Sequence, residues 1–120
     1  MLISNFKDLF VWQKAHTLVL EIYQKTKQFP NEETYGLSAQ IRRSAVSVCA
    51  NIAEGHKKKT LDYARFLQIA QASLEETCYH ILLSKDLGYI DQEEYGALTC
   101  KADEVGRMLT GLRRKIRSKR

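Results

Sequence analysis

Apolar residues recur at helical steps of three and four along most of the chain, and no stretch shows the two-residue alternation of a strand. Leu9, Trp12, His16, Val19 and Tyr23 form one such series, widened by Val11, Ala15, Leu18 and Ile22. A first helix is therefore predicted over residues 8–28, with His16 on its apolar stripe as a core histidine. Phe29-Pro30 ends it, because the residue before a proline is pushed out of the α region. A second helix is predicted over 34–54, with Gly55 as its left-handed cap. A third covers 60–87. The Thr60 hydroxyl can accept from the free backbone N–H groups at its start, Asp62 suits the positive end of the dipole, and Gly88 stops it. The fourth covers 91–116. Asp91 and Glu94 have the spacing of a capping box, with Ile90 and Tyr95 placed as a hydrophobic staple.

The fourth helix has the most regular pattern. Tyr95, Leu98, Ala102, Val105, Leu109, Leu112 and Ile116 alternate steps of three and four, which is the seam of a helical bundle. Gly96, Gly106 and Gly111 lie off that seam, and each costs roughly 1 kcal/mol of helix propensity relative to alanine. They are either tolerated surface positions or places where another helix comes close. Four helices with short connections predict an all-α, antiparallel up-down-up-down four-helix bundle. It forms a single domain over 1–120, with a basic tail at 113–120.

The second helix departs from the amphipathic rule. Leu37, Ile41, Ala45, Val48 and Ile52 form one apolar stripe, and Val46, Ala50 and Ala53 lie on another side. Gln40, Ser44, Ser47, Asn51 and Glu54 form a small, polar third stripe. From Ser44 to Ala53 there is no charge, which implies burial around most of the circumference. Self-association with symmetric closure is expected, with that polar stripe as the contact between copies. Arg42 and Arg43 allow two readings, as ion pairs with Glu75 and Glu76 or as phosphate contacts. Adjacent residues point about 100° apart on a helix, so a structural role suits at least one of them.

Charge adds a direction. The net charge is +5, but residues 1–100 hold 11 Lys+Arg against 12 Asp+Glu, whereas residues 101–120 hold 8 against 2. Seven of those eight, Arg107, Arg113, Arg114, Lys115, Arg117, Lys119 and Arg120, crowd the end of the fourth helix, with a second cluster at Lys57, Lys58 and Lys59. In an up-down bundle the lysine turn and the end of the fourth helix share one rim. Such a rim predicts a polyanionic partner bound through its phosphate backbone, with strong salt dependence.

No catalytic pattern stands beside it. There is no phosphate-binding glycine loop, nucleophile elbow or HExxH. Cys78 and His80 are two apart on a helix and face away from each other, and His56 is expected in solvent beside the lysines. Cys49, Cys78 and Cys100 have no ligand-like spacing and read as reduced, small apolar residues. The chain is expected not to be an enzyme and to need no cofactor or metal. The N-terminus lacks the layout of a signal peptide and no run has the length of a membrane span, so the cytoplasm is expected.

Three blocks then carry a resemblance. They are DLxVWQKA (Asp8 to Ala15), FPxEExYGLxxQIRRSAxSVxxNIAEG (Phe29 to Gly55) and FLxIAxxSxxE from Phe66. Together they span most of residues 6–76, and the middle block is highly specific. The sequence resembles the 23S rRNA-intervening-sequence protein family, departing at Ala72, where many relatives carry glycine. The resemblance implies an up-down bundle assembling as a ring-like homopentamer. It also implies similarity in fold to the accessory variability determinant proteins of diversity-generating retroelements, basic pentamers that bind nucleic acid and a reverse transcriptase. The expected function is a non-enzymatic, homo-oligomeric nucleic-acid-binding accessory, with RNA favoured. The alternative is an interaction scaffold for a partner such as a reverse transcriptase.

Overall fold

The computed structural model describes residues 5–118. It contains four α-helices: α1 (Phe10–Thr26), α2 (Leu37–His56), α3 (Thr60–Asp86) and α4 (Gln92–Arg117). Short 3-10 turns at Phe6–Asp8 and Asn31–Glu33 precede α1 and α2, and there is no strand among the described residues. The helices form an elongated bundle measuring 46 × 24 × 21 Å. No described helix is long and apolar enough to cross a membrane.

Every helix contributes its stripe to one core. Leu18 and Ile22 meet Val48 and Ile52, Leu67 and Ile81, and Leu98, Val105 and Leu109, all essentially sealed from solvent. The predicted seam of α4 faces inward, with five of its members buried and Tyr95 and Leu112 packed at its margin. Cross-helix pairs show the register. Lys14 meets Glu104, Glu21 meets Lys101 and Lys25 meets Glu94, so numbers fall on α4 as they rise on α1. The same inversion relates α2 to α3, where Ser44 meets His80 and Ser47 meets Ser73.

Local chemistry explains the ends. Gly88, at φ +80°, ends α3 by accepting the left-handed position. The Tyr89 amide then bonds back to the Ser84 carbonyl and the Gly88 amide to that of Lys85, both at 2.9 Å, the Schellman pattern. Asp91 and Glu94 close the expected capping box at 2.7 and 2.9 Å. Glu33 caps α2 from outside: one oxygen accepts the Leu37 amide at 2.9 Å and the other the Tyr89 hydroxyl at 2.8 Å. Those two bonds, the Leu37 amide first, hold its carboxyl below the ordinary glutamate range.

Several expectations are corrected. α1 is shorter than 8–28 because a 3-10 turn occupies its start and the chain bends ahead of Pro30. Gly55 is not a left-handed cap: α2 runs on to His56, and Gly88 is the one described residue with positive φ. Gly55 is glycine for want of space, since a Cβ there would lie 2.6 Å from the Phe66 Cβ and 3.2 Å from the Tyr63 ring. Helix-to-helix close approach thus falls at Gly55, whereas Gly96 and Gly111 face open space and a Cβ at Gly106 would make an ordinary contact with Leu74 at 3.5 Å. Thr60 is the first residue of α3, and the N-cap position belongs to Lys59 without a side-chain bond. His16 is exposed and stacks on Trp12 at 4.8 Å, because the buried line of α1 runs through Ala15, Leu18 and Ile22 instead. Residues 113–117 are helix rather than tail, held by the buried Ile116.

Gly55→Ala should destabilise the fold by about 1–3 kcal/mol, because the added methyl overpacks the contact with Phe66. Gly96→Ala, on an open face, should stabilise it by roughly 0.5–1 kcal/mol. Urea unfolding midpoints measure both. A neutral or stabilising Gly55→Ala would show that the α2–α3 approach is looser than described.

A candidate nucleic-acid interface at one end of the bundle

The turn between α2 and α3 is Lys57, Lys58 and Lys59, all exposed. The first turns of α3 and the last turns of α4 lie side by side there, since Leu61, Ala64 and Arg65 line a common hollow with Arg113 and Arg117. Cations from the turn, α3 and α4 therefore share one end of the molecule. Arg114 and Lys115 belong to the same exposed turns of α4, and Arg107 lies two turns back from Arg114. Lys119 and Arg120 lie outside the described residues.

This charge is little neutralised within the chain. Arg65 pairs with Asp62 at 3.8 Å, on an exposed surface where such a pair contributes little. Arg113 donates to the Gln71 amide oxygen, whose nitrogen donates to Thr110 at 2.9 Å, so Arg113 is partly a strut between α3 and α4. Among the described residues, no carboxylate lies within 4 Å of the charged nitrogens of Lys57, Lys58, Lys59, Arg114, Lys115 or Arg117. The opposite end carries Glu32, Glu33, Asp86, Asp91, Glu93 and Glu94. Arg65 is the residue that sequence reasoning missed. Its signal was its position in the first turns after the lysines, which only a helix starting at Thr60 turns toward Arg113 and Arg117.

His56 is not in the turn but ends α2, half-buried, with its ring edge-on to Tyr63 at 6.1 Å. Arg42 and Arg43 are both engaged within the chain. Arg42 Nε donates to Thr26 Oγ1 at 2.7 Å, and its guanidinium lies over the Tyr23 ring at 4.6 Å. Arg43 pairs with Glu76, the partner expected from the sequence for one of the two arginines.

The polar stripe of α2 is turned mainly inward. Ser44 is fully buried and cannot face a second copy. Its hydroxyl lies 3.2 Å from His80 Nδ1 and accepts from the Thr77 hydroxyl at 2.8 Å. Ser47 and Ser73 share a hydrogen bond of 2.8 Å, and the half-buried Asn51 amide donates back to Ser47. Helix α3 presents Ser73, Thr77 and His80 at matching steps, so the stripe is satisfied inside the chain. Gln40 and Glu54, at its margins, are exposed. The outer face of α2 is instead Ala39, Val46, Ala50 and Ala53, with Val46 40% exposed.

The order Ser44, His80, Glu76 has the connectivity of a nucleophile, a base and an orienting carboxylate, with Glu76 Oε2 3.7 Å from His80 Nε2. A substrate cannot reach it, because Ser44 has no exposed surface. Burial pushes the Cys49 thiol up to about 12. Cys78 is pushed up too, by burial first and then by Glu75 and Asp103, so neither is a ready thiolate. Cys100 is exposed.

The geometry thus defines a small helical protein with one basic end, an acidic opposite end and a sealed polar network between α2 and α3. The chain belongs to the 23S rRNA-intervening sequence protein family, which matches residues 7–111. It is similar to a solved protein of unknown function from the S23 ribosomal protein family of Bacteroides thetaiotaomicron. The two are 26% identical, with a TM-score of 0.76 over 85% of this chain and 96% of that one. No curated protein matches the chain.

The His80 network yields a pH prediction. Burial, outweighing the attraction of Glu76, lowers the affinity of His80 for a proton, and Arg43 adds to the effect. The unfolded chain then binds the proton more readily, so stability falls as pH drops below the ordinary histidine value of about 6.5. Melting temperature should decrease between about pH 7.5 and about pH 5.5, and His80→Gln should flatten that segment. An unchanged slope in the variant would assign the effect elsewhere.

Proposed function

We propose that this chain is a non-enzymatic, homo-oligomeric protein that binds nucleic acid through the phosphate backbone at its basic end. The observation that carries the reading is the convergence of Lys57–Lys59, Arg65, Arg114 and Arg117 on that end without carboxylates to neutralise most of them. A field of one sign draws polyanions, and released counterions supply the affinity. The family's name, which refers to an insertion in 23S rRNA, favours RNA over DNA. The inverted pairings of α1 with α4 and of α2 with α3 support an up-down-up-down arrangement.

Assembly uses the outer face of α2. Ala39, Val46, Ala50 and Ala53 form an uncharged strip, and Ile69, 43% exposed, lies on the same side of α3 as Ser73 by helical spacing. Small side chains there let a second copy come close. A ring of five, as the family resemblance implies, would repeat the basic end around its rim.

Mobility shifts of a structured RNA at low and moderate salt test the binding. Replacing Lys57, Lys58 and Lys59 with alanine should weaken it and flatten the logarithmic salt slope by up to about 2–3. Absence of binding even at low salt would end the reading and leave a protein-interaction scaffold, such as one for a reverse transcriptase. Assembly is tested separately by native mass. The protein should weigh five times its 13.8 kDa chain, and Val46→Glu with Ala50→Glu should reduce it to single chains. A wild-type monomer at micromolar concentration would refute the ring.

A further inference from the structure

The basic end is more than a charged surface, because two hollows follow one another between α3 and α4, a groove leading toward it. Its larger hollow, about 630 Å³, is floored by Leu74 and Gly106 and flanked on α4 by Arg107 and Arg114. The smaller, about 250 Å³, is lined by Leu61, Ala64 and Gln68 together with Arg65, Arg113 and Arg117. The Gln71 side chain, bonded to Thr110 and Arg113, bridges the groove between them. Leu61 is 61% exposed among the arginines, an apolar surface that phosphates would not use.

The geometry points to this groove as a seat for an unpaired strand of nucleic acid. The inference rests on the proposed function and names the form of the ligand. A duplex presents sugar and phosphate outward and keeps its base faces stacked. An unpaired strand can turn base faces onto apolar side chains and guanidinium planes while its phosphates meet arginines. Both kinds of group alternate here. Glu75 and Asp103, at the far end of the larger hollow, would repel a phosphate but accept from the amino groups of an exposed base edge.

Gly111 offers a steric test of the larger hollow. It lies on the α4 bank between Arg107 and Arg114, and a Cβ there would meet nothing within 4 Å. Gly111→Leu therefore adds a bulky side chain at the α4 rim of the larger hollow without changing charge. Gly96→Leu places the same side chain on the same helix, at another open position that lines neither hollow. Fluorescence anisotropy with a labelled unpaired RNA of about 12 nucleotides, and with the same strand in a duplex, reads the effect. Gly111→Leu should weaken binding of the unpaired strand by about tenfold or more and that of the duplex by much less. Gly111→Ala should have a small effect and Gly96→Leu none, with melting curves confirming that each variant is folded. Equal binding of both RNAs, untouched by Gly111→Leu but lost on neutralising Lys57–Lys59, would overturn the groove and keep the basic end. Failure of both RNAs to bind the wild-type protein would overturn both.

Discussion

The contact between Gly55 and Phe66 sets the geometry of everything near the basic end. A hydrogen is the largest substituent that fits at residue 55, because the Phe66 side chain occupies the place of a Cβ. α2 and α3 are drawn together at that point, one residue before α2 ends. Only Lys57, Lys58 and Lys59 remain to reverse the chain before α3 begins. A turn that short, anchored by a packed contact beneath it, holds its lysines beyond the end of the bundle. Further along the same helix pair, Ser47 with Ser73 and Ser44 with Thr77 and His80 continue the contact through hydrogen bonds. A buried polar network satisfied in this way fixes register, which an interface of interchangeable small residues would leave loose.

The two ends of the molecule are specialised differently. At the acidic end Glu33 ties the start of α2 to Tyr89, and Asp91 and Glu94 cap α4. Carboxylates there are spent on backbone amides and helix starts, where the dipole favours them. Along the sides, lysines and glutamates pair between α1 and α4. At the basic end the cations complement the C-terminus of α4 but lack acidic partners, beyond the exposed Arg65–Asp62 pair. Electrostatic self-repulsion at that end is the feature a polyanion would relieve.

Much of the fold was legible because helical periodicity survives in sequence. The seam of α4 and the capping box at Asp91 read directly, since each depends on residues close together in the chain. What failed was long-range. Gly55 reads as a cap from its neighbours, and only Phe66, eleven positions on and in another helix, shows that it is a close approach. Ser44 reads as a contact between copies because an uncharged polar stripe has no visible partner. The partner is the matching stripe of Ser73, Thr77 and His80 on α3. His16 proves exposed for a related reason: a stripe's edge and its centre are separated by one helical step, and packing alone decides which is buried. The lysine and arginine clusters were legible as charge, but Arg65 and the α3–α4 groove required the helices to be placed side by side.

The central claim is that nucleic acid meets the basic end and its α3–α4 groove. Ultraviolet crosslinking of bound RNA, followed by mapping of the modified peptides, tests it most directly. The account predicts crosslinks within residues 57–65 and 107–117 and none within the acidic turns at residues 31–36 and 85–94. Crosslinks centred on the acidic turns or on the outer face of α2, with residues 57–65 and 107–117 unmodified, would contradict it.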